Sequence, residues 1–423
     1  MSNVDASLAD ELNTFYARFE AAANDANAIA NANGCRQEEN ANTGNAFISE
    51  HDVRRAFRRV NTRKAAGPDG ISGQVLRACA DQLAPMFTET FNLSLTHPDL
   101  SSDEVLGAAG QRCSTDDAIS HLLHASLTHL DTRKGNYVKM LFVDYSSAFN
   151  TIIPSTLTTN LEHLGLSPSL CQWISNFLTG RPQAVRMGRH VSASLTLSTG
   201  APQGCVLSPL LYSLYTYDCV ATTNSTTITK FADDTVVVGL ISDNNETAYL
   251  EEVRNLENWC KKNNLLLNIS KTKELIVDFS TKQERNYQTP VINESPVERV
   301  DSFRYLSVHI TQDLSWSCHI NTVVKKARQR LYHLRHLKDF RLPSKVLRNF
   351  YSCTIESILT GNITTWFGNS TMQDRRALQS VVRSAERIIR TKLPDLHSIY
   401  SKRCWTKPRK IVKDHFEHLH RIE

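Results

Sequence analysis

What this sequence does without narrows its uses. None of its apolar runs approaches the ~18 residues of a membrane span. Its first residues, Met1-Ser-Asn-Val-Asp-Ala6, lack the basic-then-apolar pattern of a secretory leader. A place inside the cell, nucleus or cytoplasm, is therefore expected, with no membrane partner. The ten cysteines are spread so widely that no two could share a zinc knuckle, and no Cys/His cluster marks the C-terminus. Reduced thiols are the simplest reading, and Cys205 reads as a small buried filler rather than a nucleophile. Between Thr96 and Arg112 there is no Lys or Arg at all.

What is present is sorted by charge. Residues 301–423 hold 23 Lys and Arg against 10 Asp and Glu, a net +13 that leaves −8 for residues 1–300 of the total +5. A basic third beside an acidic remainder predicts that a polyanion, nucleic acid, is bound through phosphate contacts with a steep salt dependence. Within that third, Ile320, Val324, Ala327, Leu331 and Leu334 space as one helical stripe, and Lys325, Lys326, Arg328, Arg330 and Arg335 take the other faces. After Pro343 a helix is expected to turn Val346, Phe350 and Ile358 inward and to stop at Gly361. Another should run from about Met372 to Arg390. At the other end Leu8, Leu12, Phe15 and Phe19 space as a short amphipathic helix. A linker rich in Ala, Asn and acids follows over 21–44, then a helix capped by Ser49 and Asp52.

Three carboxylates carry the chemistry. Asp144 ends the apolar run 138–143, where a buried strand releases its last side chain to solvent. Asp233 and Asp234 sit between 228–232 and 235–238, two β-branched runs that read as a hairpin with the acids at its bend. A solvated turn and a metal site are equally good readings of that pair alone. Asp116-Asp117 is a control, because Thr115 before it and apolar residues after it mark an ordinary helix N-terminus. Between the two acidic sites lies 198–209, in which Gly200 and Gly204 bracket Pro202 and Gln203. Backbone turned so tightly is left bare where a flat group can approach. Ser208 before Pro209 reads as the cap of a helix that holds this loop.

The order Phe142-Val-Asp144-Tyr-Ser-Ser-Ala-Phe149, Ala201-Pro-Gln-Gly204 and Phe231-Ala-Asp233-Asp234 resembles the reverse transcriptase of non-LTR (LINE-type) retrotransposons. Lys64-Ala-Ala-Gly-Pro-Asp-Gly-Ile71, Asn268-Ile-Ser-Lys271-Thr-Lys273 and Phe303-Arg-Tyr-Leu-Ser307 extend the similarity over roughly 8–410. The resemblance implies an α+β right-hand polymerase fold with an antiparallel-sheet palm, reduced fingers and a helical, basic thumb. It implies an N-terminal helix and linker over 1–47, fingers over 48–137, palm over 138–311 and thumb over 312–423. Asp144, Asp233 and Asp234 would hold two magnesium ions, with manganese as the substitute. Phe149 would exclude a ribose 2′-hydroxyl, Gln203 and Gly204 would line the nucleotide pocket, and Lys271 would steady departing pyrophosphate. Tyr305, Leu306 and Ser307 correspond to the primer grip, and Lys325, Lys326, Arg328 and Arg330 would meet nucleic acid.

The implied activity is RNA-directed DNA synthesis, with an RNA template, a DNA primer and deoxynucleoside triphosphates as partners. Two departures from the family pattern bear on it. Only Thr96 to Ser114 connects two helices that the family separates by a basic fingers hairpin, and serine replaces the family's glycine at 307. Weak or absent polymerase activity is therefore expected. The alternative is a non-enzymatic nucleic-acid-binding remnant of a retrotransposon.

Overall fold

The computed structural model describes residues 2–18, 48–60, 73–96, 114–205, 207–280 and 285–419. The expectations for Phe19, for 21–44, for 64–71 and for the connection 97–110 fall outside these residues. The principal helices are α1 (Ser2–Ala17), α2 (Glu50–Arg59), α3 (Ala80–Thr96), α4 (Thr115–Thr132), α5 (Pro154–His163), α6 (Pro168–Leu178), α7 (Ser208–Tyr215), α8 (Thr247–Lys262), α9 (Ser317–Asp339), α10 (Ser344–Tyr351), α11 (Met372–Ile389) and α12 (Leu396–Leu419). The strands used below are β1 (Tyr137–Val143), β2 (Thr226–Phe231), β3 (Asp234–Ile241), β4 (Lys273–Val277), β5 (Glu298–Arg299), β6 (Ser302–Tyr305) and β7 (Val308–Thr311). Among the described residues no helix is long and apolar enough to cross a membrane. The chain forms two compact units, one of Met1–Gln111, Tyr145–Val220 and Asn255–Leu267, the other of Arg112–Asp144, Ala221–Arg254 and Asn268–Glu423.

The second unit is built on a five-stranded sheet in the order β5-β4-β1-β3-β2, antiparallel except where β5 meets β4. β1 lies at its centre and is buried along its whole length, as its continuous apolar run requires. Strand alternation gives the sheet two distinct faces. Val138, Met140 and Phe142 join Val236, Val238, Leu275 and Val277 on one face, in a core shared with Ile119 and Leu122 of α4 and Ile320 and Leu331 of α9. Phe142 stacks on Phe303 of the β6–β7 hairpin at 4.3 Å between ring centroids. The other face holds a buried ionic network. Lys139 Nζ lies 3.0 Å from Glu246 Oε2 and 3.1 Å from Glu274 Oε1. The Tyr137 hydroxyl donates to Glu246 at 2.6 Å and that of Tyr249 to Glu274 at 3.0 Å. Gly239, opposite Lys139, leaves room for the Tyr249 ring, which a Cβ there would meet at 2.6 Å.

The C-terminal helices of this unit follow the expected stripes in part. Ile320, Val324, Ala327, Leu331 and Leu334 are all buried on α9, while Lys325, Lys326, Arg328 and Arg330 are exposed. After Pro343 the fully buried residues are Leu347, Tyr351, Ile355 and Leu359; of the expected residues Phe350 and Ile358 pack against the core partly buried, and Val346 is exposed. Steps of four drift around an α-helix, but a π turn over Ser352–Glu356 holds more residues per turn and keeps this stripe on one side. At the start of α4 the control pair behaves as expected, with Ser114 and Asp117 forming a capping box. Lys407 of α12 reaches the same turn, 2.8 Å from Asp116 and 3.1 Å from Asp117.

In the first unit α1 turns a different face inward from the one its apolar spacing suggests. Ala9 and Asn13 are buried, while Leu8 and Phe15 are exposed. The reason is an exposed backbone edge at Ala193, whose N–H donates to Asp10 Oδ1 at 2.9 Å and whose carbonyl accepts from Asn13 Nδ2 at 2.7 Å. Satisfying a backbone pair outweighs seating two apolar side chains at a surface.

Candidate active site

The register of the central ladder brings the predicted acids together. Val143 of β1 pairs with Thr235 of β3, so one further step sets Asp144 opposite Asp234, both on the face of Phe142 and Val236. The β1–β4 ladder ends where Phe142 pairs with Lys273, and the turn that precedes β4 carries Lys271 beside Asp144. Lys271 Nζ indeed stands 3.8 Å from Asp144 Oδ2. Asp233 occupies the two-residue turn between β2 and β3, where Ala232 takes φ +53°. Crowding by neighbouring groups, and then the like charges of Asp233 and Asp144, hold the Asp234 carboxyl above its ordinary range.

The main chain of Asp144 is fixed from both sides. Its N–H donates to Thr272 Oγ1 at 3.3 Å, and its carbonyl accepts from the Asn268 N–H at 2.9 Å. Thr272 Oγ1 in turn donates to the Asn268 carbonyl, and the side chain is fully buried. These two positions belong to the motif around Lys271, but reading side-chain types alone gave them no task. Their signal is the Asn-x-x-x-Thr spacing, which closes a hydrogen-bonded turn. Asp144 Oδ2 is enclosed and receives no hydrogen bond. An enclosed carboxylate oxygen without a donor is the kind of group a hard cation satisfies, and three carboxylates suit magnesium in donor type. Among the described residues no group of three or more His, Cys, Asp or Glu side chains is placed so that it could hold a metal ion.

The β6–β7 hairpin packs over the same face. Tyr305 is buried against Phe142, 5.5 Å between ring centroids, and its hydroxyl has no partner. Burial, and then the nearby charge of Asp234, push its phenol well up. Leu306 and Ser307 form the turn at φ +43° and +71°, the left-handed region that glycine occupies most easily. Asn362 Nδ2 donates to the Leu306 carbonyl at 3.3 Å.

Phe149, Gln203 and Gly204 all lie in the first unit. Ser147 at φ +60° starts the short turn Ala148–Asn150, which carries Phe149 to within 5.1 Å of the Tyr212 ring on α7. The Gly200 loop is docked on this turn. Gly200 N–H donates to the Ile152 carbonyl at 2.8 Å and Ala201 N–H to the Phe149 carbonyl at 2.7 Å. A Cβ on Gly200 would lie 2.8 Å from Asn150 Cα, so only glycine permits this approach. Gln203 Nε2 donates to Asn150 Oδ1 at 3.4 Å, and Gly204 takes φ +87° in open space. Ser208 does not cap α7 as expected; its hydroxyl donates to the Pro202 carbonyl at 2.6 Å and so closes the loop. Arg181 also escaped sequence reading, and it donates to the carbonyls of Leu178, Thr199 and Gly200.

Known proteins similar to this chain include a family and several relatives. The family model for reverse transcriptase (RNA-dependent DNA polymerase) matches residues 83–310, just over half of the chain. A second family model, for the N-terminal part of alkylated DNA repair protein alkB homolog 8, matches residues 316–357. The probable RNA-directed DNA polymerase from transposon X-element of Drosophila melanogaster is 26% identical over 239 residues, covering 55% of this chain and 25% of that protein. The RNA-directed DNA polymerase from mobile element jockey of Drosophila funebris is 27% identical over 257 residues, covering 57% and 27%. The chain thus spans about a quarter of the length of these curated relatives. Among solved structures, telomerase from Candida tropicalis in complex with a TWJ fragment of telomeric RNA aligns at 11% identity and TM-score 0.39, over 75% of this chain and 48% of that one.

Proposed function

The chain belongs to the reverse transcriptase (RNA-dependent DNA polymerase) family, in its non-LTR retrotransposon branch, and on that premise we propose that it is a domain for RNA-templated DNA synthesis. The observation that supports this most is the ladder register that sets Asp144 opposite Asp234, with Asp233 at the adjoining turn. Asp144 and Asp233 would be the main ligands of two magnesium or manganese ions, and Asp234 would complete the acidic group. Such ions, when bound, activate the attacking hydroxyl and neutralise the leaving oxygens of an in-line displacement. The chain's own residues set the stage for a primer 3′-hydroxyl and a deoxynucleoside triphosphate. Lys271, exposed beside Asp144, is suited to meet charge on departing pyrophosphate. Phe149 is assigned to the sugar, Gln203 and Gly204 to the incoming nucleotide, and Tyr305, Leu306 and Ser307 to the primer end.

The fingers, palm and thumb are assigned to 48–137, 138–311 and 312–423. In the last of these, exposed Lys325, Lys326, Arg328 and Arg330 on one helix form a cationic face suited to duplex phosphates. A second reading, a non-enzymatic nucleic-acid-binding remnant of a retrotransposon, is favoured by the Lys- and Arg-free stretch before Arg112 and by Ser307 in a glycine-type conformation.

Primer extension on an RNA template with magnesium or manganese decides between the two. The unaltered chain should extend and a double Asp233→Ala, Asp234→Ala variant should not. Duplex binding by both, with extension by neither, would leave only the remnant.

A further inference from the structure

The tip of the β6–β7 hairpin is made of residues ill suited to its conformation. Tyr305 pairs with Val308, so Leu306 and Ser307 alone form the turn, at φ +43° and +71°. Two-residue turns with both residues left-handed are ordinarily built from asparagine and glycine, because a Cβ is strained there. Contacts from elsewhere must therefore hold the turn. One is apolar, the Leu306 side chain packing partly buried against the core of the second unit. The other is polar. Asn362 Nδ2 donates to the Leu306 carbonyl at 3.3 Å, while Asn362 Oδ1 accepts from Thr115 Oγ1 at 3.0 Å. A single carboxamide thus reaches from the first turn of α4 to the tip of the hairpin, with its donor and its acceptor both engaged.

Both roots of this link are fixed. Asn362 sits at φ +49°, a left-handed conformation that asparagine tolerates better than most residues, just before the short helix Ile363–Trp366. Its own carbonyl accepts from the Thr365 N–H at 3.1 Å and the Thr365 hydroxyl at 2.6 Å. Trp366 is fully buried, and its indole N–H donates to the Gly361 carbonyl at 2.9 Å. The start of α4 is tied to the same segment, since the Thr364 hydroxyl meets both carboxylate oxygens of Asp116 at 2.6 Å. A hydrogen bond fixes a loop only as firmly as its donor is itself held, and here the donor is rooted in the core of the same unit.

We propose that Asn362 is a positioning residue for the primer end: by holding the Leu306 carbonyl it fixes where the 306–307 turn stands, and with it the place of a strand's 3′ end. Thr115 is its anchor. The identity of that strand end rests on the polymerase reading, which the proposal deepens by naming a side chain outside the motifs that carry the family resemblance. Asn362 acts through the turn rather than on the strand.

The test compares the full chain with Asn362→Gly, Thr115→Val and Thr115→Ser. Glycine keeps the left-handed backbone at 362 and removes the carboxamide; valine removes only the anchoring hydroxyl at 115. Thermal unfolding establishes which variants stay folded, and if Asn362→Gly does not, Thr115→Val decides. Hydrogen exchange of the 302–311 segment should quicken on the order of tenfold in both. Binding of an RNA–DNA duplex with a recessed DNA 3′ end should weaken about three- to tenfold, and binding of a blunt duplex of the same sequence should stay unchanged. Thr115→Ser, which keeps the hydroxyl, should return both readings to those of the parent. In primer extension the KM for primer–template should rise by a similar factor while that for deoxynucleotide holds. Unchanged exchange, or equal weakening of recessed and blunt duplexes, would overturn the proposal. A chain that loses recessed-end affinity in the variants yet never extends a primer refutes only the polymerase reading. One that extends primers with the same primer KM in every variant refutes only the role of Asn362.

Discussion

Replacing His319 should flatten the acid side of the stability profile of the second unit. The imidazole is 3% exposed, set in the core between the β6–β7 hairpin and the edge of Trp366, whose ring centroid is 5.3 Å away. Its Nδ1 accepts the His309 N–H at 3.4 Å, which assigns the proton to Nε2, and that group is enclosed with no acceptor. Burial first, then the neighbouring His309 and Lys326, lower its pKa from 6.5 to about 4. Because the unfolded chain protonates at the higher value, it binds the extra proton first as pH falls. The stabilisation is therefore complete above about pH 6.5 and is lost progressively toward about pH 4. A shift of that size corresponds to about 3 kcal/mol, a large part of the stability of a typical domain. Urea midpoints followed by tryptophan fluorescence, for the parent chain and for His319→Gln from about pH 4 to pH 7, isolate the effect, since carboxylate titrations are common to both. The parent should lose about 3 kcal/mol more than the variant on acidification. Equal slopes would refute the assignment of a neutral buried imidazole.

Three further outcomes follow from the packing. Lys139→Ala leaves the buried Glu246 carboxylate without its cation, while Glu274 keeps Arg299 at 3.4 Å, and should cost about 3–5 kcal/mol by urea unfolding, whereas adding Glu246→Gln to it should recover part of the loss. Gly200→Ala places a Cβ 2.8 Å from Asn150 Cα at φ +70°, so it should destabilise the first unit by roughly 1–3 kcal/mol and raise the nucleotide KM in primer extension. Ser307→Gly relieves a left-handed serine at φ +71°, and after the entropy of the added glycine a gain of about 0.5–1 kcal/mol should appear as a higher Tm.

The amino-acid order alone determined the strand that ends at Asp144, the hairpin that bears Asp233 and Asp234, and the α9 stripe from Ile320 to Leu334. Each is written in local periodicity and turn chemistry, which act between near neighbours. Tertiary structure decided the rest. That Asp144 and Asp234 both adjoin the end of the ladder where Val143 pairs with Thr235 depends on which strands pair and in what register, a property of residues some ninety positions apart. Lys139 reads as an oddity in an apolar run until folding brings Glu246 and Glu274 to it. α1 buries Asn13 rather than Phe15 because an unpaired backbone edge at Ala193 waits for it, and no helical wheel carries that information. Local sequence sets what each segment can be; contact between distant segments sets which polar groups must find partners, and the cost of leaving one unpaired fixes the final arrangement.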